Sequence, residues 1–134
     1  MTPEEKQLLL KDICGRLPYG LQVHIINDEY DDGFQSGEFD NTLRYHHLEA
    51  FVCDRIEVKP YLRPMSSMSE EEKEYIKNRW CYNDWDIDGP NSLWREKIDV
   101  EDADGIIDYF NAHHFDYRGL IPMGLALEAK EGMY

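Results

Sequence analysis

The sequence predicts an α+β domain: about three helices packed on a small, mainly antiparallel sheet of three to four strands. Two helix-start signatures, Thr2-Pro3-Glu4-Glu5 and Ser69-Glu70-Glu71-Glu72, precede segments with apolar residues at helical spacing. A strand-type alternation places Leu21, Val23 and Ile25 on one face. The order of elements (helix, strands, helix, strand, helix) lacks the repeated strand–helix–strand alternation of a parallel α/β fold. The 134 residues suit one compact domain spanning 1–134, with no internal repeat, low-complexity tract or linker.

In the first helix, Thr2 is placed to accept from the Glu5 amide and Glu5 to reach back, with Pro3 at the first helical position. Leu8, Leu9, Ile13 and Leu17 form its stripe, with Leu10 and Cys14 beside it, and Gly15 and Pro18 mark its end. Residues 21–26 follow as a strand. Residues 28–40 hold six acids, no bases and two glycines, and read as a loop or a wide hairpin connection. Residues 43–53, rich in Tyr, Phe, Val and His, read as a second strand and residues 55–58 as a third. Pro60 and Pro64 are then expected to stop regular pairing.

The second helix starts at Ser69, with three acids in the first turn, where the macrodipole favours them. Tyr75, Ile76 and Trp80 supply its apolar face, and it ends within residues 79–82. Residues 83–92 read as an acidic turn and 93–98 as a further strand. Asp99 caps a third helix, in which Val100, Ala103, Ile106, Ile107, Phe110 and His114 share one face. The tail, 117–134, has turns at Gly119, Pro122, Gly124 and Gly132. Its apolar residues Leu120, Ile121, Met123, Leu125 and Leu127 are expected to pack back on the domain.

Charge and cysteine usage exclude several classes. Fourteen basic residues stand against 28 acidic ones, net −14. Nucleic acids and anionic membranes are bound by neutralising phosphates with Lys and Arg, so neither is expected as a direct partner. Cys14, Cys53 and Cys81 are odd in number and widely spaced, which argues for reduced thiols rather than a disulfide framework or a zinc site. The N-terminal segment lacks the basic-then-apolar pattern of a signal peptide, and no apolar run approaches a membrane span. A cytoplasmic protein is the expectation.

The segment Asp84-Trp85-Asp86-Ile87-Asp88-Gly89 fits the first half of a calcium loop, whose alternate carboxylates converge on one ion. Ser92 falls at the ninth position. The twelfth, which needs a bidentate Glu, is Arg95, with Glu96 one residue late. Two readings stand: a Ca²⁺ site built from Asp84, Asp86, Asp88, Ser92 and Glu96, or an acidic turn with no cofactor. The run beginning at Asp28 fits the loop less well.

His113 and His114 are adjacent, so on a helix they point about 100° apart and do not share an ion easily. His24, His46 and His47 show no ligand spacing. Glu57-Val58-Lys59, with Asp40 or Asp54 upstream, has the outline of a small metal-dependent hydrolase, but Pro60 follows directly and a DNA-binding surface is lacking. No nucleophile elbow, phosphate loop or dinucleotide fingerprint is present, so the sequence leans away from an enzyme.

Two segments, 59–72 (Lys59-Pro60-Tyr61-Leu62-Arg63-Pro64-Met65-Ser66-Ser67-Met68 and the Ser69 capping box) and 111–121 (Asn111-Ala112-His113-His114-Phe115-Asp116-Tyr117-Arg118-Gly119-Leu120-Ile121), stand out with the opening helix. Together they resemble a family of small uncharacterised proteins of gut Bacteroidales and their prophages or mobile elements. The resemblance implies a bacterial cytoplasm and a mobile-element setting, and brings no catalytic residues.

The leading expectation is therefore a protein–protein interaction or adaptor module. Tyr61, Arg63, Met65 and Met68 cluster around two prolines, and Tyr117 and Arg118 adjoin Gly119. Those residue types favour contact surfaces; a crossing loop that packs its own core is the competing account. The alternatives are the calcium-binding protein, the metal-dependent hydrolase and an acidic nucleic-acid mimic that inhibits a host enzyme.

Overall fold

A computed structural model describes residues 1–27, 37–80 and 100–134. Helix α1, Pro3–Arg16, begins as its capping box requires. Thr2 Oγ1 accepts the Glu5 amide at 3.1 Å, and the Glu5 carboxylate accepts the Thr2 amide at 2.9 Å. Its buried stripe is Leu9, Asp12, Ile13 and Arg16. Gly15 lies inside the helix rather than ending it. A Cβ there would stand 3.1 Å from the Asn111 side chain, so glycine permits a close approach between two helices. A short 3-10 turn, Leu17–Tyr19, and left-handed Gly20 lead the chain into strand β1, Gln22–Asn27.

Strand β2, Gly37–Thr42, pairs antiparallel with β1, and strand β3, Glu57–Leu62, pairs antiparallel on its other side. The two-residue β4, Leu127–Glu128, lies parallel to β3, giving the order β2-β1-β3-β4. Helix α2 spans Tyr45–Val52, α3 spans Glu70–Trp80 and α4 spans Val100–Ala112. The α+β class stands, with four helices among the described residues instead of three.

Several elements differ from expectation. Residues 43–53 are not a strand: α2 buries His47, Leu48, Ala50 and Phe51, a spacing of three and four that only a helix puts on one side. The end of the acidic segment is strand, not loop, because Gly37–Thr42 completes the β1 ladder.

Pro60, finally, does not stop pairing. The Leu43 amide donates to Leu21 O at 2.8 Å, and this sets the phase of the antiparallel ladder. Val23 then directs its backbone groups at β2, so its partner Pro60 sits at a position where no N–H is needed toward β1. Helix α4 also ends earlier than the apolar spacing suggests: His114 lies beyond it at φ 61. The expected acidic turn at 83–92, strand at 93–98 and cap at Asp99 fall outside the described residues.

Leu9 and Ile13 of α1 and Leu48 and Phe51 of α2 pack on Leu21, Val23, Ile25, Val58 and Leu62 of the sheet. The tail closes this core with Leu120, Leu125 and Ala126, while Met123 stays exposed. A second cluster joins Ile76 of α3, Ile106 and Phe110 of α4, and Met65, Met68, Phe115 and Tyr117. Arg63 helps to link the clusters: its amide donates to His114 O at 2.7 Å and its carbonyl accepts from the Asp116 amide at 2.8 Å.

Candidate functional site

The sheet face opposite the main core carries a polar cluster that draws on three strands. Cross-strand register lines up Asp40, His24 and Lys59, with Glu38, Ile26 and Glu57 in the next row. His24 Nδ1 lies 2.8 Å from Asp40 Oδ1, Tyr61 Oη donates to the same oxygen at 2.8 Å, and Lys130 Nζ donates to Oδ2 at 3.0 Å. The hydrogen bonds from His24 and Tyr61, then Lys130, hold the Asp40 carboxyl down at about 2. It is therefore an ionised anchor, not a proton donor near neutral pH. The Lys130 ammonium also stands 5.3 Å from the Tyr61 ring centroid.

Tyr134 fastens the chain end to this face. Its hydroxyl accepts the Gln22 amide at 2.9 Å and donates to Tyr61 O at 2.8 Å, bridging the place where the next β1–β3 rung would lie. Burial pushes this hydroxyl up to about 12, so it remains protonated throughout the working range. Tyr134→Phe is expected to cost about 1–2 kcal/mol, because it leaves a backbone donor and acceptor without their bridge. Urea unfolding measures this, and an unchanged midpoint would mean that the strands close the gap themselves.

The ladder phase also defines an open edge. Val23, Ile25 and Asn27 exchange backbone bonds with Asn41, Phe39 and Gly37, so Glu38, Asp40 and Thr42 direct their backbone groups away from β1. The Thr42 amide is taken by Asn41 Oδ1 at 2.8 Å. Among the described residues no strand pairs with this side of β2. The amides and carbonyls of Glu38 and Asp40 thus face outward beside acidic side chains, of which Glu38 is 65% and Asp40 39% exposed.

The residues expected to form a contact patch are placed differently. Tyr61, Met65, Met68 and Tyr117 are buried; Met65, Met68 and Tyr117 belong to the second core. Arg63 makes a two-pronged pair with Glu72 at 2.7 and 3.0 Å, its guanidinium 4.2 Å from the Phe115 ring. Arg118 donates to Asp12 at 3.2 Å and to the Tyr117 hydroxyl at 2.9 Å. A shallow groove of about 350 Å³ runs between Arg63 and the chain end. Its cations, Arg63 and Lys130, already hold Glu72 and Asp40.

The calcium ligands Asp84, Asp86, Asp88, Ser92 and Glu96 lie outside the described residues. Among the described residues no three His, Cys, Asp or Glu side chains are grouped to hold a metal ion. Glu57 and Lys59 do share a sheet face, but β1 separates them from Asp40 by roughly 10 Å, two strand spacings. His113 contacts Glu72 at 3.8 Å while His114 turns inward to Tyr19 O at 3.1 Å, so the adjacent pair diverges.

Sequence reasoning missed Asp12 and Arg16, although a signal existed: an opposite-charge pair four residues apart on the apolar stripe of α1. Tyr134 and Lys130 gave no signal. No family model matches the chain, and neither a curated protein nor a solved structure is similar to it.

Proposed function

We propose that this chain is a protein-binding module, an adaptor that acts through contact and not through chemistry. One observation carries the reading: among the described residues β2 ends the sheet, and the backbone groups of Glu38 and Asp40 on that side have no strand partner. Such an edge is a template for an added strand, and native proteins usually cover it or block it. The polar cluster beside it supports contact over catalysis, since the Asp40 carboxylate is held ionised by His24, Tyr61 and Lys130. No helix among the described residues is long and apolar enough to cross a membrane. The setting in a bacterial cytoplasm, within a mobile element, rests on the sequence resemblance alone.

The test is capture from a bacterial lysate at low and high salt, followed by amide hydrogen exchange on the complex. A stoichiometric partner that protects the amides of β2 is the expected result. A complex that leaves them exchanging freely removes the edge from the reading, and a bait that captures nothing removes the module itself.

A further inference from the structure

Resting on that reading, we propose that the β2 edge takes an extended cationic segment of a partner protein, added as a strand with Lys or Arg opposite Glu38 and Asp40. The backbone supplies the ladder, because Glu38 and Asp40 both point their amides and carbonyls outward. The side chains select the charge. Among the described residues Glu38 has one cation within reach, His24 Nε2 at 3.7 Å. Asp40 shares its carboxylate with Lys130, which is 63% exposed and can yield to an incoming base.

A second copy of the chain is disfavoured by register. Any antiparallel self-pairing must match outward-pointing residues with outward-pointing residues. In phase, that places Asp40 opposite Asp40, Glu38 opposite Glu38, or Glu38 opposite Asp40 across the two-fold. Like charges directly opposite one another destabilise a strand pair. The net charge of −14 further repels a copy and draws a basic partner. Asn41 limits the added strand by occupying the Thr42 amide, so pairing is confined to the rungs at Glu38 and Asp40.

Three short synthetic peptides test this against the full chain: alternating Lys and Thr, alternating Gln and Thr, and alternating Glu and Thr. Amide exchange and chemical shifts are read residue by residue. The Lys peptide is expected to protect the Glu38 and Asp40 amides and to bind roughly tenfold more tightly than the Gln peptide, two rim pairs' worth. That advantage should vanish between about 0.05 and 0.5 M salt. Glu38→Pro removes an outward amide that no described strand uses, and should abolish binding. Glu38→Gln should keep the protection and lose part of the charge preference.

Equal binding of the Lys and Gln peptides with the same two amides protected overturns the cationic preference and leaves strand addition standing. Salt-sensitive shifts spread over other acids, without protection at Glu38 and Asp40, overturn the edge as the site. No binding by any peptide does the same. Where Glu38→Pro fails to fold, the exchange pattern of the unaltered chain with the Lys peptide decides.

Discussion

Arg16→Met is expected to destabilise the protein by about 3–5 kcal/mol, because it leaves a buried carboxylate and a buried carbonyl short of their main donor. Arg16 and Asp12 are both fully buried. The guanidinium reaches Asp12 Oδ2 at 2.9 Å and Oδ1 at 3.1 Å, and donates to Phe115 O at 2.6 Å. Its face stands 5.3 Å from the Tyr117 ring. The pair therefore ties α1 to the turn that follows α4. Arg118 also reaches Asp12, so the carboxylate is not wholly abandoned, but it keeps one donor where it had three. A drop of roughly 10–20 °C in Tm is expected for a chain of this size. Adding Asp12→Leu to Arg16→Met should recover part of the loss, since the stranded charge is removed. Urea unfolding of the two single variants and the double variant measures this. A single-variant cost below about 1 kcal/mol would mean that the network is ornamental to the fold.

The same pair shows what was legible in the sequence. Helix α1 could be read to its first residue because its cap, its proline and its stripe agree. Strand β1 and helix α3 were legible for like reasons: strict alternation in one, and Ser69 exchanging hydrogen bonds with Glu72 in the other. Helix α2 was not, because Tyr, His, Phe and Val favour strands by composition, and its burial at Leu48 and Phe51 comes from the tertiary core. Pro60 misled because its effect depends on which way its missing amide would point, and only the ladder phase decides that. The candidate site was less legible still. In β2 only Phe39 is apolar, so its strand character derives from pairing with β1 rather than from its own pattern. Tyr61, Met65 and Met68 have the residue types of contact surfaces, but cores use the same types, and composition cannot separate the two.

Acidification is expected to destabilise the protein through two histidines as the pH falls from 6.5 toward 4, above the window in which Asp40 titrates. Both His47 and His114 are buried, and burial, followed by neighbouring positive charge, lowers each to about 4. His47 Nδ1 accepts the Arg44 amide at 3.0 Å at the start of α2, a bond that only the unprotonated nitrogen can make. His114 Nε2 donates to Tyr19 O, so a second proton on Nδ1 would lie beside the Tyr134 ring with Arg16 and Arg63 nearby and no acceptor among the described residues. In the unfolded chain both rings take a proton near pH 6.5. The unfolded state then binds more protons than the folded one, so stability is full above pH 6.5 and falls as the pH drops toward 4. Each histidine accounts for at most roughly 3 kcal/mol of that loss. Asp116 acts in the opposite sense, since burial raises its carboxyl and protonation there favours the fold. His47→Gln keeps a hydrogen-bond acceptor at the third position of α2, and His114→Asn suits the left-handed backbone at that residue. Each variant should remove about half of the stability loss measured by urea unfolding between pH 7 and pH 4.5. A double variant with the same slope as the unaltered chain would remove both histidines from the acid response; Asp40 would not replace them in this window, because its contribution is lost only below pH 3.8.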